Sequence, residues 1–349
     1  MENKKETVCA VVVTYNRKKL LLECLEAIRK QTRPVDAIYI IDNASEDGTP
    51  EALKENGYIS ELLPSNLSEP YEIEHQINNL IDGNSIKIFY VRMHKNTGGS
   101  GGFYEGVKRG YEKGYDWLWL MDDDAEPKID ALEKLESFMS VNTISALACL
   151  KVDKSMKILQ HHMGYFNLNN VFSGIIKCIN ENDIKNKKFI EIDFSSFVGI
   201  LIKKEAITQV GLPKKDFFIH DDDVEYCIRL RQIGKILLIP DSIIIHKEAV
   251  KDRILEKSFL GIIKKRVEFN KFWLSYYGLR NRVWLGKIYS KNKVLFYIQM
   301  IKSMIRPIVG IILYDDHKYK RIKLILSAYL DGLKGEFDNK KPKRILYEE

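Results

Sequence analysis

Three consecutive carboxylates, Asp122-Asp123-Asp124, close the apolar run Trp117-Leu118-Trp119-Leu120-Met121. Alternate side chains of an extended segment share a face, so Asp122 and Asp124 point together while Asp123 points the other way. Two carboxylates on one face repel unless a cation lies between them. Oxygen donors suit Mg or Mn, ions that retain water and bridge phosphate oxygens. The chemistry implied is a divalent metal holding a phosphorylated substrate; the plainer reading is a solvated acidic turn after a buried strand. A second acidic group, His220-Asp221-Asp222-Asp223, runs into Val224-Glu225-Tyr226-Cys227-Ile228-Arg229-Leu230 and opens a helix. Acidic residues in a first turn also complement the helix dipole, so this group has a capping reading beside a chemical one.

Elements able to position these residues are legible upstream. Thr7–Thr14, Ala37–Asp42, Ile86–Arg92 and Asp116–Met121 read as buried parallel strands. Helical patterns around Lys19–Gln31, Pro50–Gly57 and Gly102–Gly114 separate them. Such a βαβ series binds ligands beyond the carboxyl ends of its strands. Thr14-Tyr15-Asn16-Arg17, Asp42-Asn43-Ala44-Ser45 and the triple Asp all follow strand ends, so three polar groups converge on one rim. Asp42 to Thr49 is either a turn feeding a helix or a base or ribose contact. Tyr15 is either a packed surface aromatic or a ring that stacks on a nucleobase. Asn96-Thr97-Gly98-Gly99-Ser100-Gly101-Gly102-Phe103 opens the helix before the acidic strand; glycines allow close backbone approach and a helix N-terminus favours anions. The segment lacks a P-loop ending and the spacing of a dinucleotide fingerprint, and a flexible hinge is its other reading.

The chain of 349 residues has room for a large core and more than one unit. Cys9, Cys24, Cys149, Cys178 and Cys227 show no paired metal spacing and read as reduced thiols of a cytosolic protein. The polar start leads at once into Val8-Cys9-Ala10-Val11-Val12-Val13, too short an apolar run for an export signal. The net charge of +7 is unevenly placed: from Lys251 to Glu349 there are 23 Lys and Arg against 10 Asp and Glu, a local +13, leaving −6 on residues 1–250. An acidic front and basic back argue against a nucleic-acid coat and for a surface bearing anionic lipid.

Val11-Val12-Val13-Thr14-Tyr15-Asn16-Arg17, Ile41-Asp42-Asn43-Ala44-Ser45-Glu46-Asp47-Gly48-Thr49, the glycine segment and Met121-Asp122-Asp123-Asp124-Ala125, in this order, resemble the family-two inverting glycosyltransferases of GT-A fold. The similarity spans roughly residues 7–250, and the Gly-Gly-Ser-Gly-Gly-Phe form with a triple Asp resembles the galactofuranosyltransferase branch and its rhamnosyltransferase relatives. The resemblance implies an α/β GT-A fold, a Rossmann-like mostly parallel sheet flanked by helices. It implies that Thr14, Tyr15, Arg17 and Asp42 line the nucleotide end, and that Asn96, Gly98 and Gly99 border the diphosphate and donor sugar. Asp123 would contact ribose or donor sugar, and Asp122, Asp124 and His246 would hold Mn or Mg. The acidic pair of the second group would supply the base, placed at Asp223 with Asp222 as runner-up; Asp221 is an addition without a place. Phe194-Ser195-Ser196-Phe197 stands where the polymerising branch carries a tryptophan pair, a departure that favours single addition over processive synthesis. His161 and His162 receive no role.

Residues 251–349 read as a basic helical region behind a catalytic domain of residues 1–250. Its Tyr276-Tyr277-Gly278-Leu279-Arg280-Asn281 pattern also recurs in the family, with Arg280 either reaching a phosphate or packing a helix. Val294–Leu313 is apolar, but Gln299, Lys302, Arg306 and Pro307 interrupt it. A central Lys or Arg costs about 2.5–3.5 kcal/mol in a membrane span, so surface attachment is expected over spanning. The alternative is that the helices pack on the catalytic domain or on a second subunit. The expectation is a metal-dependent inverting glycosyltransferase, peripheral on the inner face of the cell membrane. It would move galactofuranose from UDP-galactofuranose, or rhamnose from dTDP-rhamnose, to a lipid-linked or oligosaccharide acceptor, with no nucleic-acid partner. Alternatives of another class are a sugar nucleotidyltransferase and a non-catalytic glycan-binding scaffold.

Overall fold

The computed structural model describes residues 5–64, 66–172, 176–247 and 254–348. The elements run β1 (Val8–Thr14), α1 (Lys18–Arg29), β2 (Ala37–Asp42), α2 (Thr49–Glu55), β3 (Tyr71–Asn78), β4 (Ser85–Arg92), α3 (Gly98–Lys113), β5 (Trp117–Asp122), β6 (Ala125–Pro127), α4 (Ala131–Met139) and β7 (Ile144–Val152). They continue with β8 (Met163–Phe166), β9 (Ile176–Cys178), α5 (Glu181–Ile184), β10 (Ile190–Ile192), β11 (Phe194–Ser195), β12 (Ile200–Lys203), α6 (Lys204–Val210), α7 (Asp222–Ile233) and β13 (Lys235–His246). Last come the hairpin β14 (Ile254–Phe259) and β15 (Ile262–Val267), then α8 (Leu274–Tyr289), α9 (Lys293–Tyr314), α10 (Lys318–Lys334) and α11 (Lys341–Tyr347).

The four strands read from the sequence are the parallel heart of the main sheet: β1 pairs with β2 and β5, and β2 with β4, all parallel. β1, β2 and the first five residues of β5 are buried throughout, the pattern of strands covered on both faces. The full order is β10-β13-β7-β12-β5-β1-β2-β4-β3. Three of these strands reverse direction, β10 among them, antiparallel to β13. β12 is antiparallel between β5 and β7, and β3 is an antiparallel, half-exposed edge.

The helix expected from Gly102 begins at Gly98, four residues earlier. Its glycines at four-residue spacing face the sheet closely. A Cβ on Gly102 would lie 2.5 Å from Val13, one on Gly106 2.3 Å from Val11, and one on Gly110 2.7 Å from Leu118. α3 therefore lies tight against β1 and β5 along a glycine stripe, and part of the glycine-rich segment serves helix-on-sheet packing rather than ligand approach.

Contacts divide the chain into two units. Met1–Tyr165, Cys178–Lys215 and Asp222–Ala249 form the first, and Phe166–Lys177, Asp216–Asp221 and Val250–Glu349 the second. The second unit thus draws two upstream segments that a simple division after residue 250 omits, and that boundary itself lies outside the described residues. Nor is the second unit purely helical: β14 and β15 form an antiparallel hairpin whose Ile, Leu, Lys and Phe composition carries no simple alternation of apolar and polar residues. Inside this unit Arg280 is fully buried, donating to the Asp216 and Phe217 carbonyls and to Asn339 Oδ1, so it is a packing arginine. Asp221 ion-pairs with Arg282 at 3.3 Å, which gives the extra carboxylate of the second acidic group a structural partner.

Candidate active site

The first acidic cluster sits where β5 ends. β6 follows immediately and pairs antiparallel with the last residues of β13, setting Ala125 opposite His246. The Lys247 amide donates to the Asp124 carbonyl at 2.9 Å, which extends this ladder. A sequence separation of 122 residues is thereby closed: His246 Nε2 lies 2.9 Å from Asp124 Oδ1. Donor atoms of Asp122, Asp124 and His246 all lie within 4.8 Å of one another. Two carboxylates and an imidazole are a donor set suited to Mn and compatible with Mg, so the residues fit a divalent cation. The protonation behaviour agrees: burial and then the Asp124 charge push the Asp122 carboxyl well above its usual range. A cation would relieve that repulsion.

Asp123 lies in the turn after β5 and is not part of this donor set. It accepts from Thr14 Oγ1 at 2.8 Å and from Arg17 at 3.2 Å, and Arg17 also reaches Asp124 at 3.0 Å. Burial raises Asp123 to about 6 even against these two donors. Thr14 and Arg17, expected at the nucleotide end, are thus bonded to the acidic cluster, because β1 and β5 are neighbours. Tyr15 remains exposed.

Asp42, also expected at the nucleotide end, is held within the sheet. It lies opposite Arg92 in the β2–β4 ladder and is fully buried. Its oxygens accept from Tyr90 at 2.7 Å, from the Ser45 amide at 2.8 Å and from the Arg92 guanidinium. Its effect is to hold Arg92, which is partly exposed beside a polar cleft of about 500 Å³ lined by Ala44, Glu46, Ser68, Met93 and His94. Nothing in the sequence marked that cleft, because its walls come from loops after β2 and β4 and from residues 66–68.

At the mouth of α3, Asn43 organises the glycine segment. Its amide nitrogen donates to the Gly98 carbonyl at 2.8 Å, and its Oδ1 accepts from the Thr97 amide at 2.9 Å. Asn96 Oδ1 in turn accepts from the Gly98 amide at 2.8 Å. Gly98 adopts a left-handed φ of +74°, where a side chain would be strained. Gly99 differs from the packed glycines, since a Cβ there would meet nothing within 4 Å.

The second acidic group belongs to α7, which is clamped from below. Tyr226 donates to the Gly211 carbonyl at 2.9 Å, while Arg229 pairs with Glu225 at 2.7 Å and donates to the Val210 and Leu212 carbonyls. Asp222 is buried; Asp223 is the more exposed, with Oδ1 accepting from the Val224 amide at 2.8 Å.

Residues to which the sequence reading gave no part in the acidic cluster lie beside His246. His162 meets His246 edge to face with ring centroids 4.9 Å apart, and its Nδ1 lies 3.1 Å from Ser196 Oγ. The neighbouring Ser195 hydroxyl is bonded by the Lys151 ammonium. Lys151 is fully buried, and desolvation lowers it to about 8 despite the opposing charges of Cys149, Cys227 and Asp223. A buried lysine inside an otherwise apolar strand was the one available signal.

A mostly parallel α/β sheet with carboxylates and an imidazole gathered past the end of a central strand defines a glycosyltransferase of GT-A fold. The chain belongs to Glycosyl transferase family 2, whose profile matches residues 9–59 and 65–211. Galactofuranosyltransferase GlfT1 of Mycolicibacterium smegmatis is 26% identical over 234 residues, 66% of this chain and 67% of that relative. The dTDP-rhamnosyl transferase RfbF of Shigella flexneri is 22% identical over 250 residues, 71% of this chain and 79% of its own. Among solved structures, GalNAc-T7 with UDP, GalNAc and Mn2+ covers 95% of this chain and 57% of its own, with TM-score 0.58 and 15% identity. S. aureus TarS covers 98% of this chain and 86% of its own, with TM-score 0.50 and 10% identity. These two share the fold.

Proposed function

We propose that the protein is a metal-dependent, inverting galactofuranosyltransferase that uses UDP-galactofuranose and extends a lipid-linked or oligosaccharide acceptor at the cytoplasmic face of the cell membrane. The observation that carries the reading is the convergence of Asp122, Asp124 and His246 from two distant strands into one donor set. When bound, a divalent cation supplies Lewis-acid stabilisation of the charge on the departing diphosphate. Asp122, Asp124 and His246 would hold it, with Arg17 bonded to Asp124 and Thr14 to the adjoining Asp123. The open backbone at Gly99 and the N-terminus of α3 receive the diphosphate and donor sugar. Tyr15 and the cleft beside Arg92 take the nucleoside.

Asp223 accepts the acceptor's hydroxyl proton as that oxygen attacks the anomeric carbon. The bond from that carbon to the diphosphate breaks, and UDP leaves with its electron pair. A single displacement inverts the anomeric centre without a covalent enzyme intermediate. Exposure favours Asp223 over the buried Asp222 for this role.

The named relatives divide between galactofuranosyl and rhamnosyl transfer, so dTDP-rhamnose is the second donor reading. Incubation with Mn and a panel of nucleotide sugars, read as nucleoside diphosphate release with and without membrane lipid extract, separates them. UDP released from UDP-galactofuranose alone is expected. TDP released from dTDP-rhamnose would move the assignment to rhamnosyl transfer, and pyrophosphate made from a nucleoside triphosphate would overturn the class of reaction.

A further inference from the structure

Helix α9 is 22 residues long, about 33 Å at 1.5 Å per residue, and it buries few of its side chains. Phe296, Met300 and Ile311 are its buried contacts. On its outer side Val294, Ile298, Ile301, Ile305, Val309 and Ile312 recur at three- and four-residue spacing, all exposed. This is a continuous aliphatic stripe along the whole helix. Lys302 and Arg306 flank it, and between Lys293 and Tyr314 there is no Asp or Glu.

The β14–β15 hairpin continues the same chemistry. Phe259 meets Tyr314 at 5.9 Å, Arg266 pairs with Asp315 at 2.5 Å, and Lys257 with Asp316 at 3.4 Å. These contacts set the hairpin tip at the C-terminal end of α9. At the tip Leu260 is 86% exposed, followed by exposed Ile262 and Ile263 and the exposed cations Lys264 and Lys265.

We infer that the aliphatic stripe of α9 and the tip of the β14–β15 hairpin together form a membrane-docking surface, lying in the interface of a bilayer that carries anionic lipid. Charge decides between occupants. A second copy of the chain would set Lys302 and Arg306 against a helix that has no carboxylate, whereas anionic headgroups supply the missing counter-charge. The helix is long and apolar enough to cross a bilayer. Lys302 and Arg306 lie in its middle, however, and an interfacial orientation keeps both at headgroup level while the stripe enters the acyl boundary. This surface extends the membrane-face part of the proposed function and rests on it for location only.

Flotation of the full chain with vesicles of phosphatidylcholine, alone or with phosphatidylglycerol, tests the surface without any turnover, so its failure leaves the sugar-transfer reading standing. Binding to the anionic vesicles is expected, weakened by high salt. The exposed substitutions Ile301→Glu with Ile305→Glu, and separately Leu260→Glu, should abolish it with an unchanged melting temperature. Lys302→Gln with Arg306→Gln keeps the stripe and should lower partitioning by about tenfold or more. Absence of binding, or binding indifferent to all these variants, would overturn the proposal. So would retention through carbonate extraction, which indicates a spanning helix. A wild-type dimer that the glutamate variants convert to monomer, without vesicle binding, would assign the face to a second copy.

Discussion

Asp124 is the pivot of the site at the level of single residues, because it faces His246 on one side and Arg17 on the other. Asp124→Asn should abolish Mn binding measured by calorimetry, and His246→Ala should weaken it strongly. Partners that orient a metal ligand commonly contribute 10–100-fold to metal affinity. His162→Ala is therefore expected to weaken Mn binding about tenfold or more while the melting temperature stays near wild type; unchanged affinity would show that the His162–His246 ring contact orients nothing. Lys151 offers a test of opposite sign. Its folded value of about 8 lies below the ordinary 10.5, so between these values the unfolded chain binds the extra proton and stability rises with pH. Below pH 8 the cost of the buried ammonium is fully present, about 3 kcal/mol as an order of magnitude. Lys151→Met should thus melt higher than wild type at pH 7, with the gap closing towards pH 10.5, as unfolding across that range would show.

The glycine-rich helix separates two roles among elements that look alike in sequence. Gly106→Ala drives a methyl group into Val11 and Ile41 and should cost about 1–3 kcal/mol of stability, seen as a lower melting temperature. Gly99→Ala meets open space, so stability should hold while donor affinity falls; unimpaired donor binding would remove Gly99 from the site. Sequence periodicity revealed β1, β2, β4 and β5 because fully buried parallel strands are continuous apolar runs. It did not reveal β12, whose four residues are too few to show a period, nor the β14–β15 hairpin, whose apolar residues face outward. The cluster of Asp122, Asp124 and His246 was legible only in part. Asp122 and Asp124 are neighbours in sequence and announce themselves, whereas His246 was placed through family resemblance and is brought in by the β6–β13 ladder. Asp42 is a related case: its pairing with Arg92, the opposing residue of the ladder, was not legible in the sequence.

Across the whole molecule, the charge asymmetry coincides with two units of different character. The first carries the sheet, the acidic cluster and α7; the second carries the basic helices and the exposed hairpin. Transfer chemistry and surface attachment are accordingly expected to fail independently. Ile301→Glu with Ile305→Glu should leave turnover of a soluble acceptor analogue intact, and Asp223→Asn should leave vesicle binding intact; loss of both properties in either variant would contradict this separation. The most direct test of the central claim is UDP release from UDP-galactofuranose by wild type and Asp223→Asn, with Mn or with EDTA, alongside Mn and donor binding for both proteins. The account predicts release by wild type with Mn alone, and an Asp223→Asn protein that binds metal and donor normally yet transfers no sugar. Undiminished turnover by that variant, or release unaffected by EDTA, would contradict it.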